Sequence, residues 1–169
     1  MRYEKEDKKG KRTIMTRIIV DLDVVTVAKG DNSKNGDLSR KFLIRIEKEE
    51  FTMITPYILL GLVSNWKHAP LSSEIKKFYE FYSDEIISVK KLDEKFREYK
   101  TNRKELADEL TKHTIKEEDM ILVIITSLFD VDFLVTFNRK HLKNKEEEIN
   151  NVLHKYKLKK ICIVLPNEI

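Results

Sequence analysis

The chain has 169 residues, 37% of them charged, and a single cysteine, Cys162. That length suits one domain with its own core, and a lone cysteine in an apolar run excludes an internal disulfide and fits a reducing compartment. The first seventeen residues are polar and the longest apolar-rich run, Met120–Phe129, is too short for a bilayer, so the expectation is a soluble, cytoplasmic protein with no membrane contact.

The net charge of +4 is concentrated at the start. Residues 1–17 carry seven basic side chains (Arg2, Lys5, Lys8, Lys9, Lys11, Arg12, Arg17) against three acids, and the remainder is balanced. Residues 1–16 read as a basic, flexible arm, either simply solvated or a handle for phosphates. The domain proper is expected over 17–169.

In chain order, RIIVDLDVVT at 17–26 reads as a buried strand that ends in two acids, Asp21 and Asp23. A short helix over 24–29 and a turn-rich loop, GDNSKNG, follow. A helix is expected over 37–49, capped by Asp37 or Ser39, with Leu38, Phe42, Leu43 and Ile46 on one face. A second strand is expected over 51–54, then a buried helix over 57–66 with Thr55 as N-cap and Pro56 at its first position. A helix over 72–82 and a strand over 85–89 come next.

One long charged helix is predicted over 92–112, with Leu92, Phe96, Tyr99, Leu106 and Leu110 as its buried stripe. The capping box Thr114-Ile-Lys-Glu117 predicts a new helix from Thr114 through Leu128 or Phe129. Strands over 133–136 and 161–165 flank a surface helix over 144–156. Alternating strands and helices indicate an α/β three-layer sandwich around a parallel sheet of about five strands.

Acids that such a fold could bring to Asp21 and Asp23 set the chemistry. Hard cations such as Mg²⁺ or Mn²⁺ prefer clustered carboxylate oxygens. Asp119 heads the apolar segment MILVIITSLF, at the fifth position of a helix begun at Thr114, with Leu122, Val123, Thr126 and Ser127 on its stripe. It reads either as a site carboxylate or as half of a salt bridge. Asn138 follows the strand in FLVTFN, where ligands bind in open α/β sheets, and reads either as a ligand or as a turn residue. Thr136 could orient a ligand or a water.

These pieces in this order resemble the PIN-domain family of ribonucleases, the VapC-toxin-like fold, over 17–169. The resemblance is carried by IIVDLDVV, ITPYILLGL, KEEDMILVIITSLFDVDFLVTFNRKHL and ICIVLPNEI, most specifically by the LVT-x-N-x-x-H pattern. It implies an endoribonuclease that uses Mg²⁺ or Mn²⁺ to cut RNA, often the toxin partner of an antitoxin protein, and often a homodimer. It makes Asp21, Asp119 and Asn138 catalytic, and Asp21, Asp23, Asp119 and Asn138 metal-binding, with Thr136 and Glu118 in support. RNA contacts fall to Arg139, Lys140, His141, Lys100 and Arg103, although a solvated face is the plain reading of those charges. The chain departs from the pattern at Gly61, where the family has Glu, and Asn65 is only a weak substitute one turn on. The departure predicts weak binding of one ion, and low or no activity.

Two other functions fit. A non-catalytic scaffold binding RNA or a protein would need no complete acid set. IIVDLDVVT also resembles the opening strand of haloacid-dehalogenase-type phosphatases, which would make Asp21 the nucleophile, Asp23 the acid/base, Thr55 the hydroxyl element and Glu118 with Asp119 the acidic pair. The histidines His68, His113, His141 and His154 show no metal spacing. Trp66, Tyr79, Phe81 and Tyr82 read as core or dimer interface rather than base-stacking platforms.

Overall fold

The computed structural model describes residues 4–6, 12–113 and 115–169, of which 4–6 and 12–14 by backbone only. Strands β1 (Glu4–Glu6) and β2 (Arg12–Ile14) pair antiparallel, with Glu4 opposite Ile14. Of the arm expected over 1–16, residues 1–3 and 7–11 lie outside the described residues.

The main sheet is built from β3 (Thr16–Val20), β4 (Phe51–Pro56), β5 (Glu85–Ile87), β6 (Phe133–Val135) and β7 (Ile163–Val164). All neighbouring strands are parallel, in the order β5-β4-β3-β6-β7, and helices flank the sheet. The three-layer α/β sandwich expected from the alternation is the fold. Central β3 is apolar from Ile18 to Val20, all without exposed surface, because its two faces are both covered by helices.

Topology singles out one place on this sheet. The chain leaves β3 toward β4 on one side, whereas β6 leads to β7 on the other. Adjacent strands whose continuations diverge leave a crevice beyond their carboxyl ends. Asp21 follows β3 there, and Thr136 follows β6. Val20 is in register with Val135, and the Asp21 N–H donates to the Val135 carbonyl at 2.9 Å.

The helices are α1 (Leu22–Gly30), α2 (Lys34–Glu47), α3 (Tyr57–Ser64), α4 (Ala69–Tyr82), α5 (Val89–Tyr99), α6 (Arg103–Thr111), α7 (Glu117–Leu128) and α8 (Glu146–Lys155), the last preceded by a 3-10 turn, Lys143–Lys145. Several bounds correct the sequence reading. Helix α1 begins two residues early because the Asp21 carboxylate caps it, accepting from Leu22 N–H at 2.7 Å. Ser33, rather than Asp37 or Ser39, occupies the N-cap position of α2, and Ser39 is buried. Thr55 is a buried residue of β4, and Pro56 stands at the N-cap of α3. Helix α4 starts at Ala69, with Pro70 tolerated in its first turn.

The long helix expected over 92–112 is two helices. Lys100 turns left-handed, φ 53° and ψ 33°, and ends α5. Asn102 then caps α6, accepting from the N–H groups of Lys104 and Glu105 at 3.0 and 3.3 Å. Leu92, Phe96, Leu106 and Leu110 are buried as expected, but Tyr99 beside the break is 39% exposed.

Helix α7 also starts later than expected. Thr114, the predicted cap, lies outside the described residues, while Ile115 precedes the helix and Lys116 is its N-cap. Asp119 is therefore in the first turn with Glu117 and Glu118, where orphan amides and the helix dipole favour negative charge. Strands β5, β6 and β7 are shorter than predicted, and α8 begins at Glu146 rather than Asn144. Below Asp119, the hydroxyls of Thr126 and Ser127 are used internally, donating to the Leu122 and Lys159 carbonyls at 2.7 and 2.5 Å. Among the described residues no helix is long and apolar enough to cross a membrane.

Candidate active site

Four predicted site residues meet at the crevice beyond β3 and β6. Asp21 arrives as the residue after β3, Asp23 on the first turn of α1, Asp119 on the first turn of α7, and Asn138 two residues after Thr136. Thr136 ties the first pair together. Its Oγ1 lies 2.8 Å from Asp21 Oδ2 and 3.2 Å from Asp23 Oδ2, so one hydroxyl proton serves two carboxylates. The same oxygen accepts from the Asn138 N–H at 2.9 Å. Asp23 Oδ2 also accepts from Phe137 N–H at 3.0 Å.

Asn138 ties in the third acid. Its Nδ2 donates to Asp119 Oδ2 at 2.9 Å, and its Oδ1 accepts from His141 N–H at 3.1 Å. Asn138 thus holds the turn through His141 N–H and reaches Asp119 with the same amide.

Asp21, Asp119 and Thr136 are buried. Burial pushes the Asp21 carboxyl up to about 6; the Asp119 charge adds to the rise, while Thr136 opposes it. Asp23 is pushed to about 7, first by burial and then by the charge of Asp21. Burial also raises Asp119 to about 6, against the pull of the Asn138 amide. Asp23 Oδ1 is buried with no hydrogen-bond partner. Beneath the cluster the Tyr79 hydroxyl, fully buried, donates to the Val20 carbonyl at 3.0 Å and fixes the end of β3.

The carboxylates form the floor of an open cleft of about 660 Å³. Helix α3 supplies one wall, Leu62, and the residue beyond its C-cap, Trp66, extends it. Lys116, Glu118 and His141 also line the cleft. Sequence reasoning missed Lys116, which precedes the acidic run, and assigned Trp66 to core or interface, although it borders the cleft. Gly61 is exposed on α3, with no atom within 4 Å of where a Cβ would sit. Asn65 is the exposed C-cap of α3.

The remaining predicted contacts divide. Arg139 and Lys140 are exposed beside Asn138, and His141 is half-buried at the rim. Lys100 and Arg103 lie at the α5–α6 break, where Arg103 pairs with Asp93 at 3.1 Å, and neither lines the cleft. Thr55 is drawn elsewhere, its Oγ1 2.5 Å from Ser83 Oγ, so the phosphatase reading loses its hydroxyl element.

Carboxylates that resist ionising, one with an orphaned buried oxygen, fit a hard divalent cation in the chemistry of their donors. As they stand, no three His, Cys, Asp or Glu side chains among the described residues close on one ion.

No family model and no curated protein matches the chain. A search of solved structures finds a chain of the crystal structure of VapBC2 from Rickettsia felis bound to a DNA fragment from their promoter. The superposition covers 89% of this chain and 98% of that one, with a TM-score of 0.53 and 14% identity. The fold is PIN-like. At that identity the likeness concerns the path of the chain alone.

Proposed function

We propose that this chain is a PIN-like endoribonuclease of low activity, dependent on Mg²⁺ or Mn²⁺. The observation that carries the reading is the convergence of Asp21 and Asp23, from the β3–α1 junction, with Asp119, from the start of α7, at the sheet's switch point, each with a raised pKa. Asp21, Asp23 and Asp119 are the side chains that would hold the ion. A divalent ion there would supply charge shielding for a phosphodiester and acidify a water for in-line attack on phosphorus.

The protein's own groups organise the site around that chemistry. Leu22 N–H and Thr136 hold the Asp21 carboxylate, and Phe137 N–H holds Asp23. Asn138 orients Asp119 without adding charge. Lys116 and His141 offer donors for phosphate oxygens at the rim, and exposed Arg139 and Lys140 extend that basic edge. A toxin role, with an antitoxin partner and a homodimer, belongs to the same reading and rests on the resemblance and on the likeness to a VapBC2 chain.

A non-catalytic RNA- or protein-binding scaffold is the second reading. It is favoured by Leu62 and Trp66, which give the cleft an apolar wall on α3 where the family pattern expects an acid nearby. The test compares wild type with Asp21→Asn on labelled single-stranded RNA. Cleavage that needs Mn²⁺ and drops by orders of magnitude in the variant supports the nuclease. Binding without cleavage in either protein supports the scaffold.

A further inference from the structure

Trp66 is the chain's one tryptophan. It sits past the end of α3, its backbone N–H donating to the Val63 carbonyl at 3.2 Å, and lines the cleft together with Leu62, one helical turn earlier. Its ring is half-buried, whereas the aromatic that serves only the core, Tyr79, has no exposed surface. Trp66 packs against the hydrophobic core. Trp66 also lines the cavity that Asp21, Asp23, Asp119, Lys116 and His141 line.

An amphipathic cleft of this kind suits a ligand with an aromatic plane on one side and a phosphate on the other. A flat, polarisable indole gains most from a second flat ring, and every nucleobase offers a π-face. The Lys116 ammonium, in the same cleft, offers a point charge to the anionic part of such a ligand. An apolar peptide side chain would fill the Leu62–Trp66 wall equally well but would bring no anionic group to Lys116.

We propose that Trp66 is the base-stacking residue of the cleft, seating one unpaired base of single-stranded RNA so that its phosphate lies over the carboxylates. The proposal rests on the nucleic-acid reading above. A base held in a duplex cannot present its face to Trp66 without unstacking, so the cleft selects single strands.

The single indole makes the test direct. Unlabelled oligouridylate is titrated into the full-length protein, with EDTA and again with Mn²⁺, while Trp fluorescence is followed. Binding is measured in parallel by anisotropy of a labelled copy. The expected result is quenching of Trp66 that saturates at the midpoint seen by anisotropy, and no quenching by a duplex of the same length. Trp66→Ala should weaken oligouridylate binding about tenfold or more, as loss of one stacked base does, with Trp66→Phe close to wild type. Oligouridylate that binds with Trp66 fluorescence unchanged overturns the stacking role and leaves the nucleic-acid reading standing. Absence of oligouridylate binding by wild type in both buffers overturns that reading, and the stacking role with it. Because the wild-type quenching requires no variant, the test holds even if Trp66→Ala fails to fold.

Discussion

Asn138 Nδ2 donates to Asp119 Oδ2 across 2.9 Å, so an amide faces a buried carboxylate where another acid would repel it. Asn138→Asp replaces that donor with a second charge. The cation-free protein should lose roughly 1–3 kcal/mol of stability, the penalty for a buried acceptor stripped of its donor. Mn²⁺ should in turn raise the Tm of the variant more than that of wild type, because an ion bound only by the native state stabilises it. Thermal melts of both proteins with and without Mn²⁺ check the pair of effects.

Thr136 holds the centre of the network, donating to the Asp21–Asp23 pair and accepting from Asn138 N–H. Thr136→Val keeps the shape and removes every one of these bonds. The expected cost is about 2 kcal/mol at pH 7, from the buried groups left unpaired. Chemical denaturation reads it directly, with an unchanged slope if the fold persists.

The carboxyl shifts give a pH dependence with a definite sign. Asp21, Asp23 and Asp119 rise from 3.8 to about 6, 7 and 6, so the folded state holds protons that the unfolded chain releases. Stability from these groups is fully present below about pH 4 and is lost as pH rises through 6 to 7. In EDTA the stability of wild type should therefore fall steadily from pH 4 to pH 8. Asp23→Asn should flatten the profile and be more stable than wild type at pH 8. Denaturation midpoints across pH 4–8 test this, and a midpoint that climbs between pH 5 and 8 in wild type would contradict it.

Lys100 adopts a left-handed backbone at the end of α5, which costs an L side chain energy that glycine avoids. Lys100→Gly should be neutral to stabilising by up to about 1 kcal/mol, despite glycine's entropy in the unfolded chain. The same substitution at Glu98, inside the helix, should destabilise by about that amount. Paired melts of the two variants separate the effects.

The order of elements was readable from hydrophobic runs, since Ile18–Val20, Phe133–Val135 and Ile163–Val164 are apolar stretches that only a covered parallel sheet accommodates. Helix ends were less so. The break at Lys100 depends on one backbone angle, and the cap pattern Asn102-x-x-Glu105 lies inside a continuous charged pattern that masks it. The meeting of Asp21, Asp119 and Asn138 followed from strand ends and the family resemblance. Their coupling through Thr136 and the Asn138 amide did not, because hydrogen-bond partners distant in sequence leave no local trace. Trp66 went unrecognised as a cleft residue for a related reason: an aromatic at a helix end has the same sequence pattern whether it faces a core or a crevice.

The most direct measurement is calorimetric titration of Mn²⁺ into wild type and Asp21→Asn at pH 6 and pH 8, each in two buffers of different ionisation heat. Carboxyls with pKa values near 6 to 7 must surrender protons to an ion that replaces them. The account predicts binding by wild type with protons released at pH 6 and almost none at pH 8, and binding strongly weakened in Asp21→Asn. No binding by wild type, or binding of equal strength in Asp21→Asn, would contradict the claim that these acids form one cation site.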